Sequence, residues 1–399
     1  MKKTYVISAK RSAIGSFLGS LTTVSPLDLG TTVVKALLED AKVAPENVDE
    51  LICGNVLGAG LGQNIARQIL LEAGIPETVC AHSVNMVCGS GLRTVMEGVM
   101  SIQTGFNDIV IAGGVESMSG APYLIPANTR TGNKMGDFKV VDHMIYDALT
   151  DAFDNIHMGV TAENIAKKYN ITREMQDEFA YASQQKAIAA VDGGRFKDEI
   201  VPVEVKLRKE TVIFDTDEHP NRKSTPEKLA KLRPAFIKDG TVTAGNASGI
   251  NDGASFVLLA SEEAVEKYNL TPICEIIGIG QGGVDPLGLG PTPAIRNALN
   301  YADLKLQDIE LVELNEAFAA QSLGVIHELV EEHGIDREEF MAKTNVNGGA
   351  IALGHPVGAS GNRILVSLIH EMVKRDVKLG LASLCIGGGQ GTAVIVKRP

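Results

Sequence analysis

The chain reads as an α/β protein made of two similar halves separated by a polar insertion, and three observations predict this. Short β-rich runs alternate with segments of helical period, the pattern of an α/β fold. A passage near the start, Val48-Asp49-Glu50-Leu51-Ile52, leads from a helix into a strand, and Asp308-Ile309-Glu310-Leu311-Val312 does the same in the second half. Between the halves, residues 119–249 break the rhythm with a polar stretch rich in Lys and Arg, among them Lys134, Lys139, Arg195, Arg208 and Lys223.

Taken in order, strands are expected at Lys3–Ala9, Glu50–Val56, Asp108–Gly113, Cys274–Ile279, Glu310–Leu314 and Gly391–Val396, where apolar and β-branched residues run together. Helices are expected at Leu27–Asp40, Asn64–Ala73, Gly89–Gln103, Arg173–Val191, Pro293–Tyr301, Ala317–His333 and Ser360–Lys374. Each half reaches a Gly-rich turn that opens a helix, Cys88-Gly89-Ser90-Gly91 in the first and Gly354-His355-Pro356-Val357-Gly358 in the second. Each then offers an apolar strand beside glycines, Ile109–Gly114 and Leu381–Gly389. The pattern predicts a duplicated unit whose two site-bearing turns face one another, with the insertion shaping a binding site over the core.

Bulk composition narrows the function classes. The 399 residues exceed one small core and predict two or three lobes. With 44% hydrophobic and 22% charged residues the chain is an ordinary globular protein. A formal net charge of -12 argues against a general nucleic-acid binder, which needs concentrated cations. The five cysteines, Cys53, Cys80, Cys88, Cys274 and Cys385, are odd in number and widely spaced, unlike a disulfide framework. No CxxC pair or Cys/His cluster has metal-ligand spacing, so no metal is expected. The apolar run Tyr5–Ala9 stops at Lys10-Arg11, too soon for a signal peptide, and no run is long enough to span a membrane. The C-terminal Lys397-Arg398-Pro399 is not a peroxisomal address, so a cytoplasmic protein is expected.

Four segments carry the chemistry. In Asn85-Met86-Val87-Cys88-Gly89-Ser90-Gly91-Leu92 the thiol falls at a helix N-terminus, where unpaired N–H groups and the helix dipole favour thiolate over thiol. A buried structural Cys is the plain alternative, preferred for Cys53, Cys80 and Cys274. In Gly354–Gly361 a His among glycines, beside Pro356, is poorly explained by packing, and a neutral imidazole there suits a base that takes a thiol proton. In Leu384-Cys385-Ile386-Gly387-Gly388-Gly389-Gln390-Gly391 a second thiol suits an acid/base role, and the glycines expose N–H groups for an oxyanion or a phosphate. Neither a GxxxxGK[ST] nor a GxGxxG after the first strand is present. In Asn315-Glu316-Ala317-Phe318 an amide and a carboxylate sit where a strand meets a helix, a common ligand position, although Asn315 as a simple helix cap is the default.

Together and in this order, the CGSG, NEAFA, GHPVGASG and CIGGGQG segments resemble the thiolase family over nearly the whole chain. His157-Met158-Gly159, Val242–Ser248 and Val346-Asn347-Gly348-Gly349 are similar to further family segments. The resemblance implies a thiolase-like five-layer αβαβα fold. It divides the chain into an N-terminal half of residues 1–118 with about 250–270, a loop domain for coenzyme A at 119–249 and a C-terminal half at 271–399. It implies ping-pong chemistry in which His355 deprotonates Cys88, Cys88 carries the acyl group, and Cys385 removes a proton from the α-carbon of a second acetyl-CoA. His355 and a water held by Asn315 would stabilise the enolate, and the N–H groups of Cys88 and Gly387 the tetrahedral oxyanion. His157, Met158, Ser248, Phe318, Leu149 and Ala244 would line the pantetheine or acyl path.

Residues Gly132–Phe138 resemble the branch that forms acetoacetyl-CoA from short acyl chains and is commonly tetrameric. On that resemblance the partners are acetyl-CoA, acetoacetyl-CoA and coenzyme A, with the thioesters as substrates and no separate cofactor, and neither nucleic acid nor membrane. Two departures stand out. Where the family often has an Arg after Asp-Glu-x-Pro, this chain has Asn221 followed by Arg222, the candidate carried over for the nucleotide. The stretch Val284–Gly290 is shorter than that branch has, beside the acyl pocket. The alternatives are a degradative 3-ketoacyl-CoA thiolase of longer chain preference, a ketosynthase acting on carrier-bound chains, against which Cys385 speaks, and a non-catalytic acyl-CoA-binding scaffold.

Overall fold

The computed structural model describes residues 2–125 and 127–399. In chain order its main strands are β1 Thr4–Ser12, β2 Glu50–Gly54, β3 Cys80–Val84, β4 Ile109–Ser117, β5 Asn251–Ser261, β6 Cys274–Gly283, β7 Leu311–Leu314, β8 Leu379–Ile386 and β9 Gln390–Lys397. They lie in one sheet in the order β7-β8-β9-β6-β1-β5-β4-β2-β3. Among the described residues the sheet is a five-strand and a four-strand arrangement joined edge to edge through two residue pairs, Tyr5 with Glu275 and Val6 with Cys274.

The two arrangements repeat each other. In the first, β2 pairs β3 and β4 in parallel, then β5 and β1 follow antiparallel. In the second, β7 pairs β8 in parallel and also bridges Thr344 in parallel, then β9 and β6 follow antiparallel. The duplication read from the echoing segments is therefore present in topology and strand sense.

Helices complete five layers. α1 Pro26–Ala41 and α2 Ile65–Glu72 bury Leu29, Val33, Leu37 and Ile69 against the outer face of the first half. α3 Ser90–Gln103 lies in the middle and packs with the last major helix of the chain. α4 Met158–Lys168 and α5 Arg173–Asp192 belong to the insertion. α6 Pro291–Ala302 and α7 Ala319–His333 cover the outer face of the second half through Ala294, Ile295, Leu323 and Ile326. α8 Val357–Arg375 is the partner of α3 in the central layer, where Leu92, Val95 and Met96 meet Ile364, Leu365 and Leu368. α1 and α6, equivalent in the two halves, both start on Pro, where the missing N–H costs nothing, and both stop on a left-handed residue, Lys42 and Asp303.

The starts of α3 and α8 touch because their contact is glycine. A Cβ on Gly91 would stand 2.9 Å from the carbonyl oxygen of Gly358, and one on Gly114 only 2.1 Å from the same atom. This close approach brings the Cys88 turn and the His355 turn to one place.

The insertion sits on the core through a buried charge. Arg11, in β1, is fully buried, and its guanidinium donates to Glu199 at 2.6 Å and to both oxygens of Asp217 at 2.7 and 2.8 Å. Its cation also lies 5.0 Å from the centre of the Phe196 ring. Among the described residues of 119–249, only Ile200–Val201 joins the main sheet.

The expected elements are found with shifted ends, and several others were not anticipated. β5 is buried along its whole length and begins Asn-Asp-Gly, so it shows neither alternation nor a strand-like start. α4 opens with Gly159, Val160 and Thr161, poor helix formers, and is held by tertiary packing on α7. β3 was missed as an exposed edge strand, and α8 begins three residues before the expected Ser360.

Candidate active site

Cys88 ends the segment after β3, two residues before α3. The backbone there is strained: Val87, a β-branched residue, holds a positive φ of 47°. Ser90 clamps this turn, accepting from Met86 N–H at 2.9 Å and donating to the Val87 carbonyl at 2.6 Å. The result lifts the thiol off the helix start into a cavity of about 590 Å³ whose wall also includes His355, Cys385 and Gly387. The N–H groups of Gly387 and of Cys88 itself point at the Cys88 sulfur. A Cβ on Gly89 would lie 2.2 Å from Ile386 Cδ1, so any side chain there would have to displace Ile386.

The expectation that the helix start favours thiolate is overturned. Burial pushes the Cys88 thiol up to about 12, with the charge of Cys385 adding to it and the two N–H donors only partly opposing. Cys385 is likewise pushed up to about 11 by burial, against N–H groups of Gly290 and Ile386. Both groups are therefore thiols at neutral pH.

His355 precedes α8 and is 5% exposed. Its backbone N–H donates to Asn251 Oδ1 at 2.9 Å. Its Nδ1 lies 2.6 Å from Ser360 Oγ, and that hydroxyl lies 2.9 Å from the Pro356 carbonyl, which can only accept. The one Ser360 proton thus goes to the carbonyl, and His355 Nδ1–H donates to the Ser360 oxygen. Nε2 is left unprotonated and has no partner among the described residues. Burial, helped by the charge of Arg363, lowers the imidazole to about 4, so it is neutral at pH 7.

Asn315 lies just after β7, and its backbone N–H is held by the Ser383 carbonyl at 3.0 Å. It is 1% exposed and is not among the residues that line the cavity, and neither amide atom has a partner among the described residues. It does not cap a helix, since α7 starts from Phe318. Its neighbour Glu316 is structural in its bonding, accepting from Ser183 Oγ at 2.6 Å and Asn345 Nδ2 at 2.9 Å.

A model of the N-terminal thiolase domain matches residues 4–263 and one of the C-terminal thiolase domain matches residues 270–398. The chain belongs to the thiolase family. It is similar to the acetyl-CoA acetyltransferase of Escherichia coli (strain K12), with 56% identity over 400 residues and the whole of both chains covered. The protein of the same name from Pseudomonas aeruginosa is 53% identical, again over the whole of both chains. Among solved structures, the Bacillus anthracis acetyl-CoA acetyltransferase has a TM-score of 0.95 at 44% identity, covering 100% of this chain and 99% of that one. Human mitochondrial 3-ketoacyl-CoA thiolase has a TM-score of 0.94 at 45% identity with the same coverage.

The thiolase cavity also collects most of the remaining candidates. Leu149, His157, Met158, Ala244, Ser248 and Phe318 are all in its wall. His157 caps α4, its Nδ1 accepting from Gly159 N–H at 3.0 Å, and its ring stacks on Phe236 at 4.7 Å. Phe236 meets Phe318 edge-on at 6.1 Å, so three rings form one side of the channel. Ser248 N–H is fixed by the Ala317 carbonyl at 2.9 Å, and Met158 N–H by that of Leu149 at 2.9 Å.

Arg222 is not brought to this thiolase cavity. It is exposed and paired with Asp192 at 2.6 and 2.9 Å, an alternative that sequence does not reveal because the two are 30 residues apart. Sequence reasoning also passed over Asn251, Ser360, Phe236 and His219. Ser360 lies inside a quoted motif and could have been found by its spacing from His355. Asn251 comes from β5 and carried no local signal.

Proposed function

We propose that this thiolase is an acetyl-CoA C-acetyltransferase, condensing two acetyl-CoA to acetoacetyl-CoA and coenzyme A reversibly, by a ping-pong route through acyl-Cys88. The observation that carries it is one cavity wall holding a thiol faced by two N–H donors, a neutral imidazole with a free Nε2, and a second thiol.

In this reading His355 Nε2 takes the Cys88 proton as the sulfur attacks the acyl carbonyl. The oxyanion is met by the N–H groups of Cys88 and Gly387; one such donor is worth roughly 3–4 kcal/mol in a transition state. The carbon–sulfur bond to coenzyme A breaks, and the leaving sulfur takes its proton from Cys385. Cys385, now a thiolate, removes an α-proton from the second acetyl-CoA. Protonated His355 and a water held by Asn315 stabilise the enolate oxygen. The carbanion attacks the acyl group, the bond to Cys88 breaks, and His355 returns its proton to Cys88. A resting state of neutral thiols and neutral imidazole fits this cycle, since each charge arises only when it is used.

No separate cofactor is needed, because the thioesters are the substrates. Five free cysteines support a cytoplasmic setting, and among the described residues no helix is long and apolar enough to cross a membrane. Two features support a homotetramer built as a dimer of dimers. Among the described residues β3 ends the sheet with an unpaired edge, and Tyr123, Ile125, Met135, Phe138, Tyr146 and Phe153 expose apolar surface within one stretch of the insertion.

The test is coenzyme A-dependent cleavage of acetoacetyl-CoA by the wild type and by Cys88→Ser. Cleavage that drops by roughly a thousandfold or more in the variant is expected. Cleavage by the wild type that survives the substitution would sink the assignment of the nucleophile, and a wild type that prefers longer 3-ketoacyl-CoAs strongly would favour the degradative branch.

A further inference from the structure

Beyond the thiols the cavity continues between α4 and α7. α4 presents Met158, Thr161, Ala162 and Ile165 to it, a spacing that puts all four on one helix face. Phe318 and Gln321, three residues apart, present the facing side. Met158 marks the near end: its Sδ is 3.4 Å from the point a Cβ on Gly387 would occupy, and Gly387 N–H points at Cys88. Ile165 lies about 10 Å further along the axis at about 1.5 Å per residue. Pro286 and Gly288 also contribute to this wall. An acetyl group ends one bond past the thioester carbonyl and leaves this lobe unfilled.

The lobe is apolar with two exceptions. Among the described residues, Gln321, 4% exposed, has an Oε1 with no hydrogen-bond partner, and the buried Oγ1 of Thr161 has none either. Each lies about one helical turn in from the mouth, Thr161 from Met158 and Gln321 from Phe318. A purely hydrocarbon acyl chain would leave both orphaned, which is costly in a buried site.

The geometry points to a second acyl class for this enzyme: short acyl-CoA thioesters bearing a hydroxyl on the third or fourth carbon, whose O–H donates to Gln321 Oε1 and whose oxygen accepts from Thr161 Oγ1–H. This rests on the acyl-transfer reading above. Cys88 Sγ bonds to the hydroxyacyl carbonyl, the bond to the coenzyme A sulfur breaks and coenzyme A leaves as the thiol. The α-carbon of acetyl-CoA, having lost its proton, then forms the new carbon–carbon bond and frees Cys88. The product is a hydroxylated 3-ketoacyl-CoA, and the hydroxyl is unchanged throughout.

The test measures acylation of Cys88, by intact-protein mass and coenzyme A release, with acetyl-CoA, 3-hydroxybutyryl-CoA and 3-methylbutyryl-CoA. The last two differ only by a methyl in place of the hydroxyl. The wild type should take the hydroxylated chain at least about tenfold faster than its isostere. In Gln321→Leu and Thr161→Val the hydroxyl-to-methyl ratio should fall towards or below one; because the ratio is read within each variant, general damage cancels. A wild-type ratio of one or less, or a ratio that neither substitution moves, overturns the inference while acetyl transfer still stands. Failure of acetyl-CoA itself to acylate Cys88 overturns the acyl-transfer reading and this inference with it.

Discussion

In the proposed cycle, His355 is a single side chain prepared for proton transfer. Ser360 receives Nδ1–H and so reserves Nε2 as the acceptor, while Asn251 fixes the backbone. Ser360→Ala removes that acceptor, and a hydrogen bond of about 1 kcal/mol corresponds to roughly a fivefold loss; kcat should fall by about that factor with KM little changed. A change confined to KM would contradict the role. Burial also sets the titration. Because the imidazole is lowered to about 4, NMR of the His355 ring should show its midpoint far below the usual 6.5, and a midpoint near 6.5 would refute the burial argument. The sign for stability follows: between about 6.5 and 4 the unfolded chain binds a proton that the folded site refuses, so this group's contribution is lost as pH falls through that window. The identity of His355 was legible among its glycines; its tautomer was not, because Ser360 acquires its role only when α8 winds.

At the scale of elements, the site depends on where two helix starts are pinned. Glu116, at the end of β4, does this for α8. Its carboxylate accepts from Gly358 N–H at 2.9 Å, Val56 and Leu57 N–H at 3.1 Å each, and Asn55 Nδ2 at 3.0 Å. It joins β4, the loop after β2 and the helix beside His355, at the end of a helix that favours an anion. Burial nevertheless raises the carboxyl to about 7, with the charge of Asp252 in β5 adding to it against the N–H donors. A carboxyl raised in the folded state gives stability below about pH 4.5 that is lost as pH rises through about 7. Glu116→Gln, which cannot ionise, should therefore gain thermal stability relative to wild type between pH 5 and pH 8. A loss over that range would mean that the four donors outweigh burial. The strand end Val115-Glu116-Ser117 was not recognised as part of a site, because the donors it collects come from residues 55–57 and 358.

For the whole molecule, the question is how the insertion and the core stay in register. Arg11 answers it with one buried guanidinium shared by Asp217 and Glu199. Arg11→Ala would strand two buried carboxylates, a change that typically costs about 3–5 kcal/mol. A lower thermal midpoint and faster proteolysis within residues 193–249 are expected; an unchanged proteolysis pattern would show that other contacts hold the insertion. The proposed tetramer predicts a solution mass about four times the 42.3 kDa of the chain, by light scattering. A monomeric mass would leave the exposed apolar stretch of the insertion and the edge of β3 without the proposed partner.

What the sequence determined by itself was the class of fold and its duplication, and it singled out the reacting groups now proposed. Strand and helix periods repeat in both halves, Cys88 and His355 stand in glycine turns, and Cys385 lies near the end of β8 beside one, so local patterns single them out. What the tertiary structure alone decided was their state and company. The thiols are protonated because burial outweighs the helix start. Asn251 reaches His355 across 104 residues. Arg222 turns to Asp192 instead of the cavity, while Thr161 and Gln321 come to face one lobe. Burial, charge pairing and the meeting of distant side chains are properties of the packed chain, and no local pattern of residues encodes them.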